Sequence, residues 1–318
     1  MRYLVTGGGG FIGSNFVGEL LERGEKVRVV DNFSTGRREN LKEFAGNFEL
    51  VEGDIRSFWT MFDACKGVDY VIHLAALPSV FRSVEDPLTS IDININGTAT
   101  VLEAARRQGV KKVMAASSSS VYGDTPTLPK HEGMSLSPLS PYAVSKLTGE
   151  HFCRIYHDLY GMTAISFRFF NVFGPKQNPD SEYAAVVPKF ITSLLAGKQP
   201  KIYGDGEQSR DFTYIDNVIE AVLGACAQDK IKSGAYNLAC GSQLTVNELL
   251  RQLREILGKQ GEAIYVDARP GDVKHSFADI SRLAADFGFK PSIGFEEGLQ
   301  KTVAYFEREN RLTDRVTR

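Results

Sequence analysis

Two stretches of this chain carry residue types that can do chemistry together. Tyr142-Ala143-Val144-Ser145-Lys146 sets a phenol and an ammonium four residues apart, so on a helix they share one face, one turn apart. Tyrosine is a weak base on its own, with a pKa of about 10. A cation beside it favours the phenolate. A phenolate so placed can take a hydroxyl proton while a hydride leaves the same carbon. Upstream, the apolar run Val113 to Ala116 ends in Ser117-Ser118-Ser119-Ser120, and Ser118 would give a second hydrogen bond to that oxygen. Alone, Tyr-x-x-x-Lys fits a packed phenol beside a solvated ammonium. It reads as catalytic only beside something that accepts the hydride.

The N-terminus supplies such a partner. Tyr3 to Val5 fits a short buried strand, Thr6-Gly7-Gly8-Gly9-Gly10 turns, and Phe11, Ile12, Phe16, Val17, Leu20 and Leu21 recur at helical spacing. Gly8, Gly10 and Gly13 fit G-x-G-x-x-G, and Gly7, Gly10 and Gly13 also fit G-x-x-G-x-x-G. Such glycines allow a tight turn and let the backbone approach a pyrophosphate at the helix N-terminus. A second apolar strand, Val27 to Val30, ends in Asp31, near the expected distance for an acid that bonds the ribose 2′-hydroxyl. A carboxylate there repels a 2′-phosphate, which favours NAD over NADP. Arg37 and Arg38, close behind, leave the phosphorylated form open. The positive nicotinamide ring would itself favour the phenolate of Tyr142.

The elements that position these residues follow from the same periodicities. Strand signals at 48–51, 70–74, 113–116 and 163–169 alternate with long helices over 92–108 and 141–160, the latter closed by Gly161. This βαβ repetition predicts an α/β fold with a Rossmann-type, doubly wound parallel sheet. Ligands bind beyond the carboxyl ends of such strands, where Asp54, Ala75, Ser118 and Asn171 would gather. Past residue 171 the pattern loosens, with prolines at 175, 179, 188 and 200. The division expected is a nucleotide-binding domain over 1–170 and a smaller, interleaved substrate lobe over 171–318. A segment near 234–243 is expected to return to the first domain. A strand and turn are expected over 201–206, and a helix over 246–257.

With 318 residues, 42% hydrophobic and 24% charged, the composition is that of an ordinary globular protein. The net charge of −2 gives no pull toward nucleic acid or membrane, and no apolar stretch approaches a membrane span. The chain enters a strand within a few residues, and a cytoplasmic location is expected. Cys65, Cys153, Cys226 and Cys240 show no metal-ligand spacing and read as reduced and structural. His73 sits in an apolar strand and reads as structural. His131, His151, His157 and His275 make no metal-binding pattern, so no metal is expected.

Taken together, Thr6 to Gly13, the Ser118–Tyr142–Lys146 set and Arg168-Phe169-Phe170-Asn171-Val172-Phe173-Gly174-Pro175 resemble the extended short-chain dehydrogenase/reductases. The resemblance runs nearly the full chain and is strongest to the UDP-sugar 4-epimerases, above all those acting on UDP-N-acetylglucosamine. It implies tightly held, recycled NAD. It also implies oxidation of the sugar C4 hydroxyl, turning of the 4-keto sugar, and return of hydride to the opposite face. Implied cofactor contacts are Gly7, Gly10, Phe11, Ile12, Gly13, Asp31, Asn32, Leu74, Ala75, Ala76, Tyr142 and Lys146, with Asp54 and Ile55 at the adenine. Implied substrate contacts are Ser118, Ser119, Ser120 and Tyr142 at the sugar, and Asn171 at the diphosphate. Val187 and Tyr203 would lie at the uracil, Arg210 and Arg269 at the phosphates, and Asp272 at the uridine ribose. A guanidinium fork suits a diphosphate better than an ammonium does. Ser276 resembles a gate where restricted relatives carry Tyr and relatives accepting N-acetylated sugars carry a small residue.

The resemblance further implies a homodimer through four helices, two from each copy, at 92–108 and 141–160. Val101, Leu102, Ile155 and Leu159 are apolar residues beyond one stripe. Competing activities are a 4,6-dehydratase, a UDP-glucuronate epimerase and a non-catalytic nucleotide sensor. The dehydratases carry Asp-Glu where this chain has Ser119-Ser120, and the sensors usually lack the Tyr and Lys.

Overall fold

Alternate residues of five neighbouring strands face opposite ways, and this sorts the core into two layers. Leu4, Val30, Val71, Val113 and Ala164 enter one apolar cluster, while Val5, Val29, Ile72, Met114 and Ile165 enter another. The computed structural model describes residues 1–180, 185–229, 231–260, 262–268 and 273–316. Its centre is a sheet of β1 (Arg2–Thr6), β2 (Lys26–Asp31), β3 (Glu49–Glu52), β4 (Tyr70–His73), β5 (Lys112–Ser118), β6 (Thr163–Phe169) and β7 (Gly234–Leu238). The spatial order is β7-β6-β5-β4-β1-β2-β3, and every pairing is parallel. Both faces are therefore covered by helices, as a parallel sheet requires. The edge strand β7 comes from late in the chain.

Helix α1 (Phe11–Glu22) follows the glycine loop directly. Helix α2 (Phe58–Ala64) and α3 (Gly97–Arg107) pack together on the other face. The helix expected over 92–108 is not uniform: Asp92–Asn96 forms a wider π turn before α3 begins. Val101 and Leu102 are fully buried. They cover the sheet within one copy, which corrects the expectation that they reach a partner.

Helix α4 (Pro141–Tyr160) has both ends written in sequence. Ser140 Oγ accepts from the Ala143 N–H, Pro141 fills the first turn without wasting a donor, and Gly161 closes the helix at φ 68°. Later helices Ile215–Ala227 and Val246–Leu257 join the layer of Val5, Val29 and Ile72. Among the described residues no helix is long and apolar enough to cross a membrane, and no His/Cys/Asp/Glu group could hold a metal. All four cysteines are free, three of them buried.

Candidate active site

The glycine loop is shaped by contacts that leave no room for side chains. Gly7 turns at φ 72°, and a Cβ there would lie 2.8 Å from the Ala75 backbone. A Cβ on Gly13 would come within 2.2 Å of the Gly7 carbonyl. Helix, loop and the 74–76 segment are thus pressed together, leaving the N-terminus of α1 open to an anion. Asp31 closes the second strand: its carboxylate accepts from the Gly9 N–H at 2.8 Å and the Phe33 N–H at 2.7 Å.

A cavity of about 470 Å³ runs along the carboxyl edge of the sheet from this loop. Its walls include Gly7, Gly10, Phe11, Ile12, Gly13, Asp31, Asn32, Asp54, Ile55, Leu74, Ala75 and Ala76, then Ser118, Tyr142, Lys146 and Asn171. Every residue expected at the cofactor lines this one cavity. At its far end Asp54 accepts from Arg56 at 2.7 Å, which holds its carboxyl below the usual range.

The reactive set comes together where β5 meets α4. Ser118 and Tyr142 line the cavity together, with the Ser118 hydroxyl near enough to act on the phenol. Ser120 Oγ donates to Ser118 Oγ at 2.9 Å, so the Ser118 proton is free to point forward. Lys146 Nζ donates to the Ala116 carbonyl at 2.9 Å. Burial raises the Tyr142 pKa, and the Ser118 hydroxyl opposes it. Burial also brings Lys146 down to about 8. Tyr142 stands in the first turn of α4, where the helix dipole favours a phenolate. Ser119 and Ser120 form the turn behind Ser118, outside the lining of the cavity.

A second cavity of about 600 Å³ adjoins the first, and Asn171, Val172 and Ala185 line both. Val187, Tyr203 and Arg210 line this second space, as do Lys189, Lys198 and Lys201. No carboxylate lines it among the described residues. Its charge suits an anion such as a diphosphate. Ser276 lies outside both linings and pairs in register with Arg210. Arg269 and Asp272 fall outside the described residues.

Periodicity did not reveal the support beneath the reactive set. Thr6 Oγ1 bonds His73 Nδ1 at 2.8 Å, and His73 Nε2 bonds Thr98 Oγ1 at 3.0 Å. Thr98 donates to the Asn94 carbonyl at 2.6 Å. Asn94 Nδ2 donates to Ser145 Oγ at 3.1 Å, and Ser145 donates to the Tyr142 carbonyl at 2.7 Å. A buried chain of polar groups so links the glycine loop to α4. The only sequence hint was polar residues within apolar segments. Gln177 and Asn178, also in the first cavity, carried no motif.

The profile of the NAD dependent epimerase/dehydratase family matches residues 3–239. The chain belongs to that family. It is 39% identical over 312 residues to a putative UDP-glucose 4-epimerase of Methanocaldococcus jannaschii, covering 97% of this chain and 99% of the relative. Among solved structures it is similar to a UDP-N-acetylglucosamine 4-epimerase of Methanobrevibacter ruminantium in complex with UDP-N-acetylmuramic acid. That likeness has 41% identity and a TM-score of 0.93, over 97% of this chain and 98% of the other. A Thermus thermophilus UDP-glucose 4-epimerase in complex with NAD matches at 37% identity and a TM-score of 0.88, over 96% and 99% of the two chains. NAD is the cofactor of this family, and the tight glycine loop, the α1 N-terminus and Asp31 fit it.

Proposed function

We propose that this protein is a UDP-sugar 4-epimerase that interconverts UDP-N-acetylglucosamine and UDP-N-acetylgalactosamine, and also turns over UDP-glucose and UDP-galactose. The observation that carries the reading is the meeting of Ser118, Tyr142 and Lys146 in the nucleotide cleft, beside a second cavity lined by cations. NAD held by the glycine loop, the α1 N-terminus and Asp31 would supply a reversible hydride acceptor. Ser118 and Tyr142 hold the C4 oxygen. Tyr142 takes the hydroxyl proton as the hydride leaves, then gives it back when the 4-keto sugar has turned its other face. Lys146 supplies the charge that favours the phenolate. The second cavity takes the nucleotide, with Arg210 toward the diphosphate and Val187 and Tyr203 toward the uracil.

A dehydratase needs a carboxyl acid/base pair at the sugar. Among the described residues, Asp31 and Asp54 are the carboxylates lining the first cavity, and in this reading both serve the adenosine end. Separating the products formed from single UDP-sugars tests the proposal. A 4-keto-6-deoxy product would indicate a dehydratase, and no conversion would indicate a sensor.

The protein would act as a homodimer. Val144, Ile155 and Leu159 are exposed apolar residues of α4, and Val84 and Leu88 add to them from the short helices packed beside it. A patch of this kind marks an interface.

A further inference from the structure

The helix carrying the proposed reactive pair meets three consecutive residues of β5. Ala116 accepts from Lys146, and Ser118 lines the cavity beside Tyr142. Between them, Ser117 Oγ donates to Glu150 Oε1 at 2.5 Å. The outer two contacts belong to the proposed reaction, and the middle one has no part in it. Glu150 lies one turn beyond Lys146 and two beyond Tyr142. A carboxylate four residues from a lysine on a helix ordinarily faces solvent as its ion-pair partner. Here it turns to the sheet and is buried. Arg168 of β6 donates to its two oxygens at 2.9 and 2.7 Å. Arg168 in turn donates to Tyr122 Oη at 2.8 Å, and Tyr122 donates to Asn237 Oδ1 of β7 at 2.6 Å. Charge-assisted, two-pronged bonds of this kind fix geometry as well as charge.

We propose that Glu150 is a positioning residue: gripped by Ser117 and Arg168, it sets the register of α4 against β5 so that Tyr142 and Lys146 reach their places beside Ser118 and Ala116. The proposal rests on the reading of those three side chains as the reactive set. A carboxylate held from two strands resists sliding along either of them. Sliding of the helix would move phenol and ammonium together, and small misplacements of reacting groups are costly.

The test uses the NAD-loaded enzyme and leaves the ion pair whole. Ser117→Ala removes one of the three donors to Glu150. The expected result is a kcat about tenfold lower, with KM and melting temperature close to wild type, and recovery in Ser117→Thr, which restores the hydroxyl. A kcat within about twofold of wild type, a loss shared with KM, or a loss that Thr does not restore would overturn the proposal. Should the wild type convert no UDP-sugar, the functional reading falls by itself. The clamp is then read from the rate at which an amine reagent labels Lys146 in nucleotide-free protein. An altered rate in Ser117→Ala supports it, and an unchanged rate overturns it.

Discussion

Lys146 Nζ lies 5.8 Å from the centroid of the Tyr142 ring. Burial works against charge on both: it raises the Tyr142 pKa and lowers that of Lys146 to about 8. In the protein alone the resting pair is a neutral phenol beside a readily discharged ammonium. As pH rises through about 8, the Lys146 charge proposed to favour the phenolate is lost. The positive nicotinamide of bound NAD would offset this loss, which would couple cofactor and base.

Tyr142→Phe removes the proton acceptor and keeps the ring. Turnover should fall by ~10²–10⁴, the usual share of a general acid/base. UDP affinity, measured by calorimetry, should barely change, because the phenol faces the sugar end. Near-normal turnover would remove Tyr142 from the mechanism.

His73 makes acid stability a test of the buried chain. Burial, and secondarily the Lys146 charge, hold its pKa down to about 3. A histidine whose folded pKa is depressed contributes stability that is complete above its unfolded value of about 6.5. That contribution is lost as pH falls from there toward 3, with a slope of about 1.4 kcal/mol per pH unit for one proton. Denaturant unfolding at a series of pH values should show the slope, and His73→Gln should flatten it. An equal slope in the variant would show that other groups set the acid limit.

How much of this was legible depends on whether a signal is local. Ser140, Pro141 and Gly161 are neighbours of the helix they delimit, so both ends of α4 could be read from sequence. The glycine loop and Asp31 are likewise a local pattern with a fixed partner. Val101 and Leu102 misled because an apolar stripe looks the same whether it covers a sheet or a partner; the packing of α3 against α2 decided it. Glu150 and Arg168 are eighteen residues apart, and Thr6 and Thr98 are joined only through His73. No periodicity reports such meetings, because they arise from the order of strands in the sheet.

The exposed apolar residues of α4 predict a dimer. Leu159 is 68% exposed, a heavy apolar cost for a helix facing only water. Light scattering at working concentration should give the mass of two chains, and Leu159→Lys should shift it toward one. A wild-type mass of a single chain would contradict the assembly.

Ser276 lies just outside the second cavity, in register with Arg210, which lines it. A tyrosine there would crowd an N-acetyl group as the keto sugar turns. Overpacking of a fitted site costs ~1–3 kcal/mol, or roughly one to two decades in rate. Ser276→Tyr should therefore suppress turnover of the acetylated pair and spare the plain pair. Equal loss of both would show that Ser276 supports the fold rather than selecting the sugar.

The central claim is met most directly by one measurement: parallel incubation of the purified protein, without added cofactor, with UDP-glucose, UDP-galactose, UDP-N-acetylglucosamine and UDP-N-acetylgalactosamine, followed by separation of the products. The account predicts that each acetylated sugar yields its C4 epimer, with the NAD carried by the protein neither consumed nor replaced. UDP-N-acetylglucosamine left unchanged, or converted only once stoichiometric NAD is added, would contradict it.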